Sequence, residues 1–246
     1  MDIKAEHINP YVGDNRPKTQ QVRSMFDSIA PAYDVMNRMM TFGIDRLWRA
    51  KAVGMLKRTV SPGGDILDVA TGTGDLALLL DKKLRPSAVT GIDLSENMIE
   101  IARRKSANVG DRIRFMTADC LALPFDDNTF NCVTVAYGVR NFEHLLQGYR
   151  EMHRVLRPGG TLCVIELSTP TSPLVRPLYR FYTRRIIPLV GRMVSRDNRA
   201  YTYLPESIAA VPQGRQMTLL MEEAGFSQTV CRPLTFGVCT IYTATK

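Results

Sequence analysis

An α/β fold with a doubly wound, mostly parallel sheet is what this 246-residue chain predicts. Three observations carry the prediction. Short apolar runs alternate with helical periodicity between residues 65 and 167, as expected for strands covered by helices on both faces. A glycine-rich turn, Asp68-Val-Ala-Thr-Gly-Thr-Gly-Asp75, closes the first run. Asp93 ends the second run and Asp119 follows the third, at the edge of the sheet where such folds bind ligands.

The elements follow in order. The first twenty or so residues, with Asn9-Pro10, Gly13-Asp14-Asn15 and Arg16-Pro17, read as a loose lead-in. A helical cap is expected from Gln21 to Leu56, interrupted near Thr41-Phe42-Gly43, before the break at Ser61-Pro62-Gly63-Gly64. Asp65–Ala70 is the first strand, and the turn after it opens a helix through Leu76–Leu80. Ala88–Asp93 is the second strand, followed by a helix over Glu96–Lys105 with Ser95 as its N-cap. Arg112–Thr117 and Cys132–Ala136 are the third and fourth strands. A helix over Glu143–Leu156 stops at Arg157-Pro158-Gly159-Gly160, and Thr161–Leu167 is the fifth strand. The tail predicts a helix over Gly214–Ala224 and an antiparallel pair near Thr229–Arg232 and Gly237–Thr243. Residues 1–246 read as one domain, with 21–56 as the cap and 171–212 as a helical lid insertion.

Composition narrows the function. With 45% hydrophobic and 23% charged residues, the chain is ordinary for a globular protein. Its longest apolar run, Leu76–Leu80, is far short of the roughly 20 residues that span a bilayer. The opening residues lack a secretory pattern, and five cysteines without CxxC spacing fit a reducing cytoplasm better than disulfides or zinc. His144 and His153, nine residues apart, lack the spacing of a metal pair, and no metal site is expected. The net charge is +8, and the excess is local: seven arginines (176, 180, 184, 185, 192, 196, 199) face one acid, Asp197, between Thr171 and Ala200. One basic segment points to one anionic surface, and nucleic acid is not the expected partner.

The strand ends define a candidate site. Gly72 and Gly74 let a ligand approach the backbone at a helix N-terminus, Asp93 can accept both ribose hydroxyls of a nucleoside, and Asp119-Cys120 can flank its adenine. Gly72-Thr-Gly-Asp-Leu-Ala77 formally matches a dinucleotide fingerprint. Acids at 68 and 119 would repel a pyrophosphate, however, and they suit the sulfonium-bearing nucleoside S-adenosylmethionine better. The expected Rossmann-like site comprises Asp68, Thr71, Gly72, Gly74, Asp93, Leu94, Met98, Asp119 and Cys120.

Four further segments add a resemblance. Val22-Arg-Ser-Met-Phe-Asp-Ser-Ile-Ala-Pro-Ala-Tyr-Asp-Val-Met-Asn37, Phe42-Gly-Ile-Asp-Arg-Leu-Trp48, Ala136-Tyr-Gly-Val-Arg-Asn141 and Tyr203-Leu-Pro-Glu-Ser-Ile208 resemble the quinone-biosynthesis branch of the class I S-adenosylmethionine-dependent methyltransferases. That branch methylates demethylmenaquinol and related polyprenyl benzoquinols. The resemblance covers residues 22 to 246 and implies a seven-stranded sheet, S-adenosylmethionine as methyl donor with S-adenosylhomocysteine as product, and a prenylated quinol as acceptor. It also implies donor contacts at Thr73, Asp93, Asp119 and Cys120 and near Ala136, which adds Thr73 and Ala136 to the expected site. Thr71 stands where many members have glycine, and Tyr137-Gly-Val-Arg replaces a common Phe-Gly-Leu-Arg; neither removes an expected contact.

Ring methylation needs an electron-rich carbon, which a quinol supplies once a hydroxyl proton is lost and an oxidised quinone does not. Arg140 is expected to favour the phenolate, although a lone arginine after a strand also commonly serves a salt bridge. Asn141 would orient a ring oxygen, and Tyr33 would close over the substrate. No general base is evident, and the proton is expected to leave through water. In the basic segment Pro177 and Pro188 predict two short helices rather than one, with Leu178, Tyr182, Ile186, Leu189 and Met193 on one side. Such a lid can rest on the core, meet an anionic membrane surface, or do both. The competing functions are O- or N-methylation of a small metabolite and RNA binding on a vestigial methyltransferase fold. The expected location is the cytoplasm, at the inner face of its membrane.

Overall fold

A computed structural model of the chain describes residues 3–60, 63–187 and 199–246. Seven strands form one sheet: β1 (Ile66–Val69), β2 (Val89–Asp93), β3 (Ile113–Thr117), β4 (Phe130–Ala136), β5 (Leu156–Leu167), β6 (Ser227–Leu234) and β7 (Cys239–Thr245). Their order is β3-β2-β1-β4-β5-β7-β6. β1 to β5 run parallel, with Asp68 of β1 level with Gly91 on one side and Thr134 on the other. β7 enters antiparallel between β5 and β6, as the closeness of the last two predicted strands suggested. Chain order reverses at β1 and β4, which opens a crevice beyond their carboxyl ends.

Both faces are covered because the strands are apolar on both sides: Ile66, Leu67 and Val69 are all fully buried. One face packs against α3 (Ile44–Leu56), α4 (Asp75–Leu84) and α5 (Glu96–Ser106), and the other against α6 (Leu145–Val155) and α9 (Arg215–Glu223). Ser95 caps α5 as predicted, its hydroxyl accepting from the Met98 N–H at 3.2 Å.

The N-terminal lead-in corrects the sequence reading. Ile3 and Ala5 are buried in the sheet's core, and the Gln21 side chain holds the strap between them and the first helix. It accepts from the Tyr11 N–H and donates to the carbonyls of Asp14 and Arg16. α1 (Lys18–Ile29) therefore begins three residues earlier than expected, and α2 (Tyr33–Thr41) follows a single tight turn. Phe42 and Gly43, both left-handed at φ 51° and 75°, make the corner into α3 where the interruption was expected.

α7 (Val175–Phe181) continues through a wider turn to Ile186, and α8 (Arg199–Ala210) follows. Pro177 does not break α7, because it lies in the first turn, where its missing N–H has no helical partner to lose. Pro188, Leu189, Arg192, Met193, Arg196 and Asp197, and the break at Ser61-Pro62, lie outside the described residues. A third core joins cap to lid: Met25, Ile29 and Met36 pack with Ile187, Ala200 and Tyr203.

Candidate active site

Two narrow clefts and one large cavity meet at the carboxyl ends of β1, β2 and β4. The first cleft is bordered by Gly72, Asp93, Leu94, Met98, Asp119, Cys120 and Ala136, seven of the eleven residues expected to hold the donor, and is roofed by Thr19, Val22 and Phe26 of α1. Gly72 is left-handed, and a Cβ there would meet only the Tyr33 ring at 3.8 Å, so the turn leaves room for a ligand. The Asp93 carboxylate accepts from the N–H groups of Gly72 (2.8 Å) and Ser95 (3.0 Å), which aims it along the cleft. Burial raises its pKa against these bonds.

Asp68, Thr71 and Thr73 border the second cleft, with Asp34, Arg38, Arg49 and Asp75. Asp68 is buried and accepts from the hydroxyls of Thr71 (2.7 Å) and Thr134 (2.6 Å); burial nevertheless lifts its pKa to about 6. Mixed cations and carboxylates in one small cleft suit a zwitterionic amino-acid end. Gly74 borders neither cleft: its missing side chain makes room for the Phe115 ring, 2.8 Å from where a Cβ would stand.

The cavity has a volume of about 550 Å³ and is walled by cap and lid. Its lining is mostly apolar, including Met25, Ile29, Met36, Trp48, Leu178 and Ile187. Arg140 and Asn141, expected to act together, sit on one short turn after β4 and both border this cavity. Tyr33 borders the cavity and both clefts, so it stands where they join. Burial raises its pKa, keeping the hydroxyl protonated.

Arg140 is in a salt bridge, the ordinary outcome for an arginine after a strand. Its Nη1 lies 2.7 Å from Glu166 Oε1, and both residues are buried. Burial alone would lower the guanidinium pKa, but Glu166, Tyr33 and Tyr203 together outweigh it and the pKa rises. The Nε–H of Arg140 is left without a partner. Across the described residues, four buried side-chain polar atoms lack a partner: Tyr137 OH, Arg140 Nε, Asn141 Oδ1 and Tyr203 OH. All four residues border the cavity. An unpaired buried polar atom costs about 1–3 kcal/mol, so four around one apolar space are a concentrated cost that a ligand with polar atoms could offset.

Sequence reasoning missed Glu166 and Lys18. Glu166 is a carboxylate inside the apolar run 162–167 of β5, and that interruption was the available signal. Lys18 donates to the carbonyls of Ala5 (2.6 Å) and Arg140 (3.3 Å), and burial lowers its pKa to about 8. The Tyr137 departure also carries more than expected, since its extra hydroxyl is one of the four. Strain adds to the picture: Ala70 and Tyr137, just past β1 and β4, are left-handed at φ 52° and 61°. His144 is exposed at the start of α6, and His153 packs edge-on against Phe226. No cluster of metal-ligating side chains occurs among the described residues.

The sequence profile of the ubiE/COQ5 methyltransferase family matches residues 14–246. The chain belongs to this family. The demethylmenaquinone methyltransferase of Bacteroides fragilis is 47% identical over 248 residues, covering 100% of both proteins. The ubiquinone/menaquinone biosynthesis C-methyltransferase UbiE of Geobacter sulfurreducens is 45% identical over 232 residues, covering 93% of this chain and 90% of its own. Among solved structures, the [4+2]-cyclase SpnF superposes with a TM-score of 0.67 at 18% identity, over 93% of this chain and 96% of its own. A S-adenosylmethionine-dependent methyltransferase from Aquifex aeolicus gives 0.58 at 20% identity, over 78% and 88%. At these identities the likeness shows the fold, and a cyclase among the neighbours underlines that fold alone does not set chemistry. As a ubiE/COQ5 family member the chain is an S-adenosylmethionine-dependent methyltransferase.

Proposed function

We propose that this chain methylates a ring carbon of a prenylated quinol, taking demethylmenaquinol to menaquinol, with the related benzoquinol as a second acceptor. The observation that carries the reading is the apolar cavity whose only unpaired buried polar atoms, among the described residues, sit together around the Arg140–Asn141 turn. An apolar chain with an oxygenated ring has this distribution of polarity.

The family relatives named above support the acceptor, and the geometry supports residue roles. Asp93, Leu94, Met98, Asp119, Cys120, Gly72 and Ala136 hold the nucleoside of S-adenosylmethionine, and Asp68, Thr71 and Thr73 serve its amino-acid end. The bound donor supplies an electrophilic methyl group. Arg140 Nε–H binds a ring oxygen and favours its anion, which raises electron density on the adjacent carbon. Asn141 Oδ1 accepts from a ring hydroxyl, and an oxidised quinone has none to offer. Tyr33 keeps ring and donor in line at the junction, where alignment supplies much of the rate. The ring proton leaves to water.

The lid supports work at a membrane. Phe42, Leu178 and Phe181 border the cavity yet are 79%, 71% and 59% exposed, so they rim its mouth. Leu174 beside them is 88% exposed, and Arg176, Arg180 and Arg185 are exposed as well. Apolar tips flanked by arginines suit the surface of an anionic bilayer at the inner face of the cytoplasmic membrane. Changing Arg180, Arg184 and Arg185 to Glu should abolish binding to anionic vesicles at low salt. A wild type that ignores such vesicles would remove the membrane reading.

The function itself is tested by transfer of labelled methyl from S-adenosylmethionine to a short-chain demethylmenaquinone, with and without a reductant. Label in the ring carbon only under reducing conditions is the expected result. Equal labelling of both forms, or label on oxygen, would overturn the mechanism.

A further inference from the structure

We infer that Tyr203, carried by α8 of the lid, is a substrate-contact residue whose hydroxyl pairs with a ring oxygen of the quinol beside Arg140. The inference rests on the quinol reading above and assigns a residue to it. Tyr203 is 3% exposed and packs in the core shared by cap and lid, among Met25, Ile29, Met36 and Ile187. These partners pack against its ring, and phenylalanine would fill the same space. The hydroxyl nevertheless finds no partner among the described residues.

Other tyrosines show that this is not the rule in the molecule. Tyr149 donates to Met217 Sδ, Tyr182 donates to the Met40 carbonyl at 2.8 Å, and Tyr242 accepts from the Gly214 N–H at 2.9 Å. Tyr203 instead borders the cavity with Arg140 and Asn141, and α8 packs on the turn that carries them. Arg140 and Tyr203 each feel the other's charge, which places the phenol within electrostatic reach of the guanidinium. A group that destabilises the free protein and is surrounded by a ligand's polar contacts is explained by what the ligand returns to it.

The substitution Tyr203→Phe removes one oxygen and keeps the packing, so the full-length variant is expected to fold. Two readouts on it carry opposite signs. Without acceptor, its melting midpoint should equal the wild type's or exceed it by up to about 4 °C, since an unsatisfied hydroxyl has gone. With short-chain demethylmenaquinol kept reduced, its KM should rise about 3- to 10-fold, and the quinol should raise its midpoint less than it raises that of the wild type. Tyr242→Phe is the contrast: it strands the Gly214 N–H, lowers the midpoint and leaves KM unchanged. An unchanged KM in Tyr203→Phe overturns the inference. So does a midpoint that falls as in Tyr242→Phe, because the hydroxyl then has an internal partner. If the quinol binds the wild type without being methylated, the proposed reaction fails while the midpoint shifts still test the contact.

Discussion

Arg140 has two duties that one substitution confounds, and its partner Glu166 separates them. Removing one member of a buried ion pair leaves the other charge uncompensated, so Arg140→Met should cost about 3–5 kcal/mol in chemical denaturation. Replacing both, Arg140→Met with Glu166→Met, should return most of that loss, since a buried pair and a well-packed apolar pair are often equally stable. Methyl transfer should stay abolished in both, because neither restores the Nε–H. Recovery of activity with stability would show that Arg140 is structural only. Asp68 gives a pH dependence. Its folded pKa of about 6 lies above the roughly 3.9 of an unfolded aspartate. Its contribution to stability is therefore complete below about pH 4 and is lost as pH rises through about 6. Asp68→Asn removes that slope. The variant's stability advantage over wild type should grow by on the order of 3 kcal/mol between about pH 4 and pH 7, measured by urea titration. A difference that stays flat across this range would show that Asp68 is not strained by burial. Residue types at strand ends were legible in the sequence because topology alone puts them at the site. Glu166 was not, since its meaning depends on Arg140, 26 positions away.

At the scale of elements, the cap over the donor cleft is fastened at several points, one of them Thr19, whose N–H and hydroxyl donate to Glu143 at 2.9 and 2.7 Å. The Asp27 carboxylate accepts from the Ser95 hydroxyl at 2.6 Å, and Asn97 donates to the Asp27 carbonyl at 3.0 Å. Asp34 of α2 accepts from the Thr73 hydroxyl at 2.6 Å and pairs with Lys105 at 2.9 Å. With α1 in place the first cleft holds only about 50 Å³, well under the roughly 300 Å³ at which small-molecule sites begin. Donor exchange therefore requires α1 and α2 to withdraw. Asp34→Ala should speed release of S-adenosylhomocysteine about fivefold in a stopped-flow chase, the equivalent of about 1 kcal/mol of lost clasp. An unaltered release rate would mean that the cap does not gate the cleft. These fasteners explain why the strands were readable and the cap only partly so. A buried strand announces itself by composition and bounding turns, whereas Ile3, Ala5 and Lys18 are buried by segments far along the chain. A run rich in Asn, Gly and Pro looks loose until Gln21 is seen to hold it.

For the whole molecule, the size of the cavity and the exposure of its rim set how much of a prenyl chain the protein can hold. A volume of about 550 Å³ suits a fused ring with a short apolar extension. The remainder of a long chain must pass between Phe42, Leu178 and Phe181, which are exposed at the mouth. Burial of apolar carbons is worth about 0.8 kcal/mol each, so a five-carbon unit held inside is worth on the order of 4 kcal/mol before ordering costs. Units beyond the rim gain almost nothing from the protein. In a series of reduced demethylmenaquinones of increasing prenyl length, KM should fall by at least tenfold over the first one or two units and then level off. The levelling should persist in solution and give way to further gain only when anionic vesicles are added, because the outer units then rest in lipid against the arginine-flanked rim. A steady fall with every added unit in the absence of lipid would mean that the chain lies along the protein, and that the exposed rim belongs to a closed tunnel rather than a mouth.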